Sequence, residues 1–153
     1  SAIPDWPKWS PDCSEITFGR YLNGNWDIWK MQANGDSLKN MTNHPAADGQ
    51  PLWMPNGYEV IFMSDREVLG WLDLFKINVN TKQVTRLTND SGREVDPEVS
   101  SDGKYLFFTR FRFIGDPSQI YMTELINSTD VSKWIRLTNF EQGSGYPSFR
   151  PKP

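Results

Sequence analysis

Pro7-Lys8-Trp9-Ser10-Pro11-Asp12 opens a phrase that recurs along this 153-residue chain at nearly even spacing. Further copies occupy residues 51–56 and 97–102, and a truncated copy occupies 147–151. Their leading prolines follow one another at intervals of 44, 46 and 50 residues. A period of this size is typical of the blades of a β-propeller.

Each repeat has the pattern of four short strands separated by turn residues. The Pro-x-Trp segment comes first, and an apolar second strand follows at 15–18, 60–63 and 106–109. The third strands lie at 27–31, 73–77 and 119–122, and the fourth at 38–42, 84–88 and 134–138. No segment of a dozen residues shows a helical apolar stripe. We therefore predict an all-β propeller of four-stranded antiparallel blades, three per chain, with helices nearly absent.

The repeat also predicts where the blades and their turns lie. The whole chain, 1–153, is one propeller arc with blades at approximately 5–46, 47–93 and 94–143 and a closing strand at 146–150. Asn56-Gly57 and Asp102-Gly103 are two-residue hairpin signals, because both positions tolerate positive φ. The first repeat has Asp12-Cys13 there, so we expect a longer turn or one of another type. The side chains of Asp12 and Asp102 are expected to hydrogen-bond their own turns.

At these residues the chain resembles the WD-like propeller repeats of the TolB family. The family pattern is Pro-x-Trp-Ser-Pro-Asp-Gly, an apolar strand, Ser-Asp-Arg, Asp-Ile-Tyr and Leu-Thr. This chain matches it at 7–12, at 62–66, at 27–29 and at 87–88 and 137–138. The resemblance implies a β-propeller that binds other proteins, in bacteria and often in the periplasm or outside the cell. It carries no general catalytic motif, although some such propellers gate hydrolases.

The composition and charge of the chain argue against several classes of function. The net charge is −3 and no basic stripe is present, which argues against nucleic acid as a partner. Cys13 is the only cysteine, so neither an intrachain disulfide nor a thiolate metal cluster can form. The sequence contains no run of 18 apolar residues, so it predicts no membrane-spanning helix. His44 is the only histidine, and we expect no metal, no cofactor and no Ser-His pairing built on a second histidine.

Two weaker chemical signals are better explained by local structure. Residues 23–27, Asn-Gly-Asn-Trp-Asp, place oxygen ligands at alternate positions, but they lack the twelve-residue frame of a calcium loop. The Asn-Gly pair favours a hairpin turn there. Cys13 has no basic neighbour in sequence, so an activated thiolate is not expected.

Three blades are fewer than the four to eight with which propellers close. We favour two chains joined by a two-fold axis into one six-bladed ring, a homodimer, because cyclic dimers are the commonest oligomers. The alternative is that these blades belong to a longer chain. Residues 7–9 and 147–149 both suit the innermost strand position of a blade, and the sequence does not decide between them.

The long connections predict one loop-rich face. In a propeller the links between blades share a face with the loops between second and third strands, here 44–50, 90–96, 140–146, 21–26, 66–71 and 111–118. Tyr, Trp and Arg are enriched at binding hot spots. The predicted binding residues on this face are Tyr21, Arg66, Trp71, Arg93, Asp96, Arg112 and Tyr146. The same loops carry the acidic residues Asp48, Glu94, Asp116 and Glu141.

We therefore interpret the chain as a non-catalytic binding module that takes a protein or peptide on the loop-rich face or in the central channel. One alternative is a regulatory propeller of a hydrolase, or a small enzyme with a channel site between subunits. The absence of a Gly-x-Ser-x-Gly motif disfavours standalone hydrolysis. A second alternative is carbohydrate binding through stacked aromatic side chains.

Overall fold

The computed structural model describes residues 2–112 and 117–139 as three four-stranded antiparallel sheets. The strands of the first sheet are β1 (Ile3–Trp9), β2 (Glu15–Leu22), β3 (Asn25–Gln32) and β4 (Lys39–Asn40). Those of the second are β5 (Asp48–Trp53), β6 (Glu59–Val68), β7 (Trp71–Asn78) and β8 (Val84–Arg86). Those of the third are β9 (Arg93–Val99), β10 (Tyr105–Phe111), β11 (Gln119–Glu124) and β12 (Ile135–Arg136). Two single-turn 3-10 helices, Leu125–Asn127 and Val131–Lys133, lie between β11 and β12.

Within each sheet every strand pairs with the next one along the chain, so each sheet is one propeller blade. The first strands of the blades converge, since β5 contacts both β1 and β9. This confirms the predicted all-β class and blade content and gives a partial propeller. Strand β1 fills the innermost position of the first blade, where residues 7–9 were one of two candidates. The predicted closing strand, 146–150, lies outside the described residues.

Two apolar clusters hold neighbouring blades together. Between the first and second blades, Ile28 and Met41 pack against side chains of the second blade: Trp53, Val60, Phe62, Phe75 and Ile77. Between the second and third blades, Ile61, Leu74 and Leu87 pack against Val99, Leu106 and Phe108. The second copy of the apolar second strand, in β6, lacks alternation because this strand has a blade against each of its two faces.

The turn between first and second strands is the same in all three blades. The N–H of residue 13, 57 or 103 donates to the carbonyl three residues earlier, at 2.9, 3.0 and 2.8 Å. Gly57 and Gly103 take φ of 74° and 73°, and Cys13 takes 59°. The expectation of a different turn at Cys13 was therefore wrong, because the cysteine accepts the left-handed conformation. The Asn-Gly and Asp-Gly pairs end a four-residue turn instead of forming a two-residue hairpin loop.

The predicted hydrogen bonds of Asp12 and Asp102 within these turns are confirmed. Asp12 Oδ1 accepts from Ser10 Oγ at 2.7 Å and from the Ser14 N–H at 3.0 Å. Asp102 Oδ1 accepts from Ser100 Oγ at 2.6 Å and from the Lys104 N–H at 3.1 Å. These donors lower the pKa of Asp12 to about 2. Both carboxylates therefore serve the turn.

The repeated Asp and Thr residues also have a structural role. Thr42 Oγ1 accepts the N–H of Ile28 at 3.0 Å and donates to Asp27 Oδ1 at 3.1 Å. Thr88 Oγ1 accepts from Leu74 N at 2.8 Å, and Thr138 Oγ1 accepts from Ile120 N at 2.9 Å. One hydroxyl per blade thus ties the third strand to the end of the fourth, which explains the recurring Leu-Thr.

Candidate functional site

The inner strand of each blade contains a bulge at the residue before the repeated proline. The pairing register shifts there in all three sheets. Trp6, Gln50 and Asp96 have φ of 53°, 50° and 52°. A residue before proline normally stays in the extended region, and a left-handed non-glycine residue carries strain that clusters at functional sites. The three bulges therefore indicate a candidate functional surface on the inner wall, which is formed by β1, β5 and β9.

The bulge residues line a cavity of about 370 Å³. We call it the inner-wall pocket; its lining residues are Trp6, Lys8, Gln50, Pro51, Asp96, Pro97 and Glu98. All three inner strands contribute, since residues 6 and 8 belong to β1, 50 and 51 to β5, and 96 to 98 to β9. The volume falls within the range of small-ligand sites.

Gln50 and Asp96 join the second and third blades across the inner-wall pocket. Gln50 Nε2 donates to Asp96 Oδ1 at 2.6 Å, and the Asp96 N–H donates to Gln50 Oε1 at 2.7 Å. Gln50 and Asp96 are the bulge residues of β5 and β9, so these bonds join two of the three bulges. Burial raises the pKa of Asp96, while its bond from Gln50 opposes that rise.

Trp6 forms the aromatic part of the pocket. Its ring lies 5.0 Å from that of Trp26, which is 5.6 Å from Tyr21. The ring also sits on Gly19 and Gly49, where an added Cβ would lie 2.6 and 3.0 Å from ring carbons. Glycine is therefore required at both positions for the ring to approach the sheets.

Lys8 and Glu98 supply the charges farther along the wall. Lys8 Nζ lies 3.9 Å from Glu98 Oε1, with side-chain exposures of 47% and 26%. Such a partly exposed pair contributes little to stability. Burial raises the pKa of Glu98, and the nearby Lys8 partly offsets this. The pocket thus has two carboxylates, one ammonium and one indole, a set suited to polar ligands with a cationic or amide group.

The residues predicted on the loop-rich face lie in three different settings. Tyr21 is half-buried in the aromatic group around Trp26. Trp71 starts β7 and is 38% exposed, beside the exposed hairpin residues Val68 and Leu69. Arg112 is exposed just after β10. A binding role for these residues stays a prediction.

Arg66 is engaged inside the second blade. Its Nη2 donates to both oxygens of Asp48 at 3.1 Å, and its Nε donates to Ser64 Oγ at 2.9 Å. The guanidinium also lies 5.0 and 4.9 Å from the ring centroids of Phe62 and Phe75. The side chain of Asp48 is fully buried. These contacts place the pair in the blade framework, and a ligand would have to displace them to use Arg66.

Glu94 is buried at the junction between the second and third blades. Neither carboxylate oxygen has a hydrogen-bond partner, although Arg110 Nε lies 3.4 Å from Oε1. Arg110 instead pairs with Asp90. Burial, followed by the nearby charge of Asp73, raises the pKa of Glu94 to about 8.

Arg93, predicted as a binding residue, is half-buried at the start of β9. Its guanidinium carbon lies 5.9 Å from the ring centroid of Phe111. Its buried Nε has no hydrogen-bond partner. The predicted residues Tyr146, Asp116 and Glu141 lie outside the described part of the chain.

The remaining chemical candidates are held in turns. His44 Nδ1 accepts the N–H of Ala46 at 3.1 Å. Asn23 and Gly24, at φ of 54° and 90°, form the tight hairpin between β2 and β3 in place of a calcium loop. Within residues 2–112 and 117–139, no group of three or more His, Cys, Asp or Glu side chains is arranged to hold a metal ion. No helix in this part has the length and apolarity to span a membrane.

Sequence reasoning missed most of the inner-wall pocket. It identified Asp96 but not Trp6, Gln50, Lys8 or Glu98. The available signal was positional: Trp6, Gln50 and Asp96 each precede the repeated proline, and Lys8 and Glu98 lie next to it. These positions vary between the repeats, while the proline between them is the same in all three.

The TolB beta propeller domain model matches residues 3–152. The chain belongs to this family. Crystal structures with the same fold include TolB from Acinetobacter baumannii, at 25% identity and a TM-score of 0.75, covering 91% of this chain and 34% of that one. The putative TolB from Agrobacterium tumefaciens is 19% identical with a TM-score of 0.79, covering 94% and 52%. A puromycin hydrolase, at 13% identity and a TM-score of 0.72 over 90% and 22%, shares the fold alone.

The chain thus spans about one third and about half of the length of these two TolB structures. The family membership supports the resemblance that the sequence had suggested, since its repeated motifs occur in the matched residues.

Proposed function

We propose that this chain is a non-catalytic propeller module that binds a peptide segment of another protein at the inner-wall pocket. The observation that carries the proposal is the pocket itself. Three strained bulges place side chains of three blades around one cavity of about 370 Å³. Strain held at one surface is a pointer to function.

The chemistry of the pocket favours a peptide. Glu98 and Asp96 can accept hydrogen bonds from peptide N–H or basic groups, and Lys8 can donate to a peptide carbonyl. The side chains of Trp6, Pro51 and Pro97 supply apolar contact. This mixture of a few polar groups and an aromatic anchor is typical of peptide recognition.

The rim of the module adds a second contact region. Trp71, Val68 and Leu69 are exposed at 38%, 56% and 89% on the hairpin of the second blade. These side chains could extend a bound segment beyond the pocket onto the loop-rich face. Trp71 is the best anchor of the three because Trp is enriched at hot spots.

A peptide library displayed on phage tests the proposal. Selected peptides are measured by calorimetry against the wild type, Glu98→Gln and Lys8→Ala, with Lys104→Ala as a matched control because Lys104 lies on a different surface. We expect each pocket variant to weaken binding about tenfold or more, as for loss of a charged hydrogen bond, and the control to bind unchanged. Peptides that bind all four proteins equally would contradict the pocket assignment.

A regulatory or enzymatic role is the main alternative, favoured by the shared fold with a puromycin hydrolase. A panel of ester, peptide and glycoside substrates separates the two. Turnover by the pure protein that persists in Glu98→Gln would argue for chemistry elsewhere and against a binding module. A glycan array tests carbohydrate binding, for which the group of Trp6, Trp26 and Tyr21 is the relevant surface.

A further inference from the structure

The junction between the first and second blades carries two lysines in direct cross-strand contact. Lys30 on β3 and Lys39 on β4 are partners in the strand pairing, so they lie on the same face of the first sheet. Like charges directly opposite each other destabilise a sheet, because their Cβ atoms are only about 5 Å apart. Residues 2–93, which form both blades of this junction, are all described. Sheet stability therefore does not explain this pair.

Lys82 brings a third ammonium group to the same face from the second blade. Its Nζ lies 2.8 Å from Sδ of Met41, a buried member of the core between the two blades. The N–H of Met41 donates to Ile28 O, so Met41 continues the pairing of β4 with β3. It is two residues from Lys39, a separation of about 7 Å along one face of a strand. We call Lys30, Lys39 and Lys82 the lysine cluster.

The turn between β7 and β8 holds Lys82 over Met41. Lys82 has a φ of 64°, which is unfavourable for a residue with a Cβ atom. Its N–H donates to Asn78 O at 2.9 Å and so fixes the turn. The thioether of Met41 is only a weak hydrogen-bond acceptor. The turn therefore places an ammonium group against the first blade in a contact that stabilises it little.

The charges around the lysine cluster do not balance. Glu15 Oε1 accepts from Lys30 Nζ at 2.6 Å. Within the part of the chain that the structure describes, neither Lys39 nor Lys82 forms an ion pair with a carboxylate. Burial lowers the pKa of Lys82, and the charges of Lys30 and Lys39 lower it further. The Glu15 carboxylate opposes this lowering only in part.

The junction between the second and third blades does not have this excess of charge at the corresponding positions. Lys76 corresponds to Lys30 and forms the same kind of pair, with Glu59 at 2.7 Å. The partner of Lys76 across the strands is Thr85, where the first blade has Lys39. The additional lysines are therefore a feature of the first junction and not of the blade pattern.

We propose that the lysine cluster binds a tetrahedral oxyanion, such as a phosphate group, that bridges the first and second blades. The oxygens of such a group accept charge-assisted hydrogen bonds from several ammonium groups at once. An anion between Lys39 and Lys82 offsets both the repulsion in the first sheet and the poor solvation of Lys82. The site lies at the β4 edge of the first sheet, opposite β1 and the inner-wall pocket, so it is independent of the peptide site.

Nuclear magnetic resonance of the lysine Cε carbons tests the site, with inorganic phosphate exchanged for chloride at constant ionic strength. Phosphate should shift the Cε signals of Lys39 and Lys82 along one saturable curve. It should also raise the pKa of Lys82, because a neighbouring anion favours the ammonium form. Lys104 is the internal control, since its side chain is 73% exposed and pairs with Asp102. Its signal should not saturate.

A second titration with O-phosphoserine distinguishes the sources of the phosphate group. Binding at least as tight as that of inorganic phosphate identifies a group carried by a larger molecule, and weaker binding identifies the free ion. Either result supports the oxyanion site. Phosphate shifts no larger than those produced by chloride at the same ionic strength would overturn it.

Matched variants locate the bound phosphate. Lys39→Gln and Lys82→Gln should each weaken binding about two- to fivefold, as for loss of one exposed ion pair, and the double variant should show no saturable shift. Lys76→Gln is the control, because Lys76 has the position of Lys30 in the second blade, and it should bind as the wild type does. Unchanged amide spectra away from the junction confirm that each variant is folded. Undiminished binding by the double variant would overturn the proposal.

Discussion

At the scale of single residues, Cys13 and Glu94 each occupy a position that their chemistry does not favour. Cys13 takes a φ of 59° in a turn where the other two blades have glycine. Glu94 is fully buried without a hydrogen-bond partner for either carboxylate oxygen. Both departures concern local free energy, so they can be tested by single substitutions.

Cys13→Gly should raise the free energy of unfolding by about 0.5–1 kcal/mol. The left-handed conformation costs a non-glycine residue about 1–2 kcal/mol, and the greater flexibility of unfolded glycine returns part of this. Gly57→Ala, at the corresponding position with a φ of 74°, should lower stability instead. Urea denaturation at one protein concentration measures both, and a loss of stability in Cys13→Gly would contradict the explanation.

Glu94→Gln should be more stable than the wild type at pH 8 and similar to it at pH 5. The pKa of Glu94 is raised from 4.5 to about 8 in the folded state, so the native protein binds this proton more tightly than the unfolded chain does. Stability therefore falls as pH rises from about 4.5 to 8 and is constant above that range. Thermal melting across this range measures the difference, and parallel curves for the two proteins would show that Glu94 does not titrate as described.

At the scale of elements, the recurring threonine is the tie between third and fourth strands. Thr88→Val should destabilise the protein by about 1–3 kcal/mol, because the buried N–H of Leu74 loses its acceptor. Thr85→Val is the matched control, since Thr85 is an exposed threonine on β8, three residues before Thr88. Its effect should stay within about 0.5 kcal/mol. Chemical denaturation distinguishes the two, and equal effects would remove the tie as the reason for the Leu-Thr repeat.

At the scale of the whole molecule, stability should vary between blades. The second blade packs on both of its faces, while the first and third pack on one described face each. In dilute protein we expect the amides of β6 and β7 to exchange with deuterium most slowly. Mass spectrometry of exchanged peptides measures this, and uniform protection in dilute samples would contradict the argument.

Much of this fold could be predicted from the sequence because the information repeats. Three copies of one pattern fixed the number of strands per blade, their order and the place of the turns, since a four-stranded blade is built from contacts local in sequence. The same locality explains why the hydrogen bonds of Asp12 and Asp102 were predictable. The turn at Cys13 was not predictable. The sequence indicates that a left-handed conformation is unfavourable for cysteine, but it does not show that the surrounding strands impose this conformation.

The candidate site, too, was predictable only where it depends on contacts within one repeat. The amino-acid sequence by itself determined the all-β class and the four-stranded blade. It also showed which residues vary between the repeats, including Asp96 before its proline. Only the tertiary structure showed that Gln50 and Asp96, 46 residues apart, hydrogen-bond at the inner wall, and that Arg66 is held by buried Asp48. The physical reason is that packing between blades joins residues distant in sequence, and their burial and partners depend on geometry that no single repeat encodes.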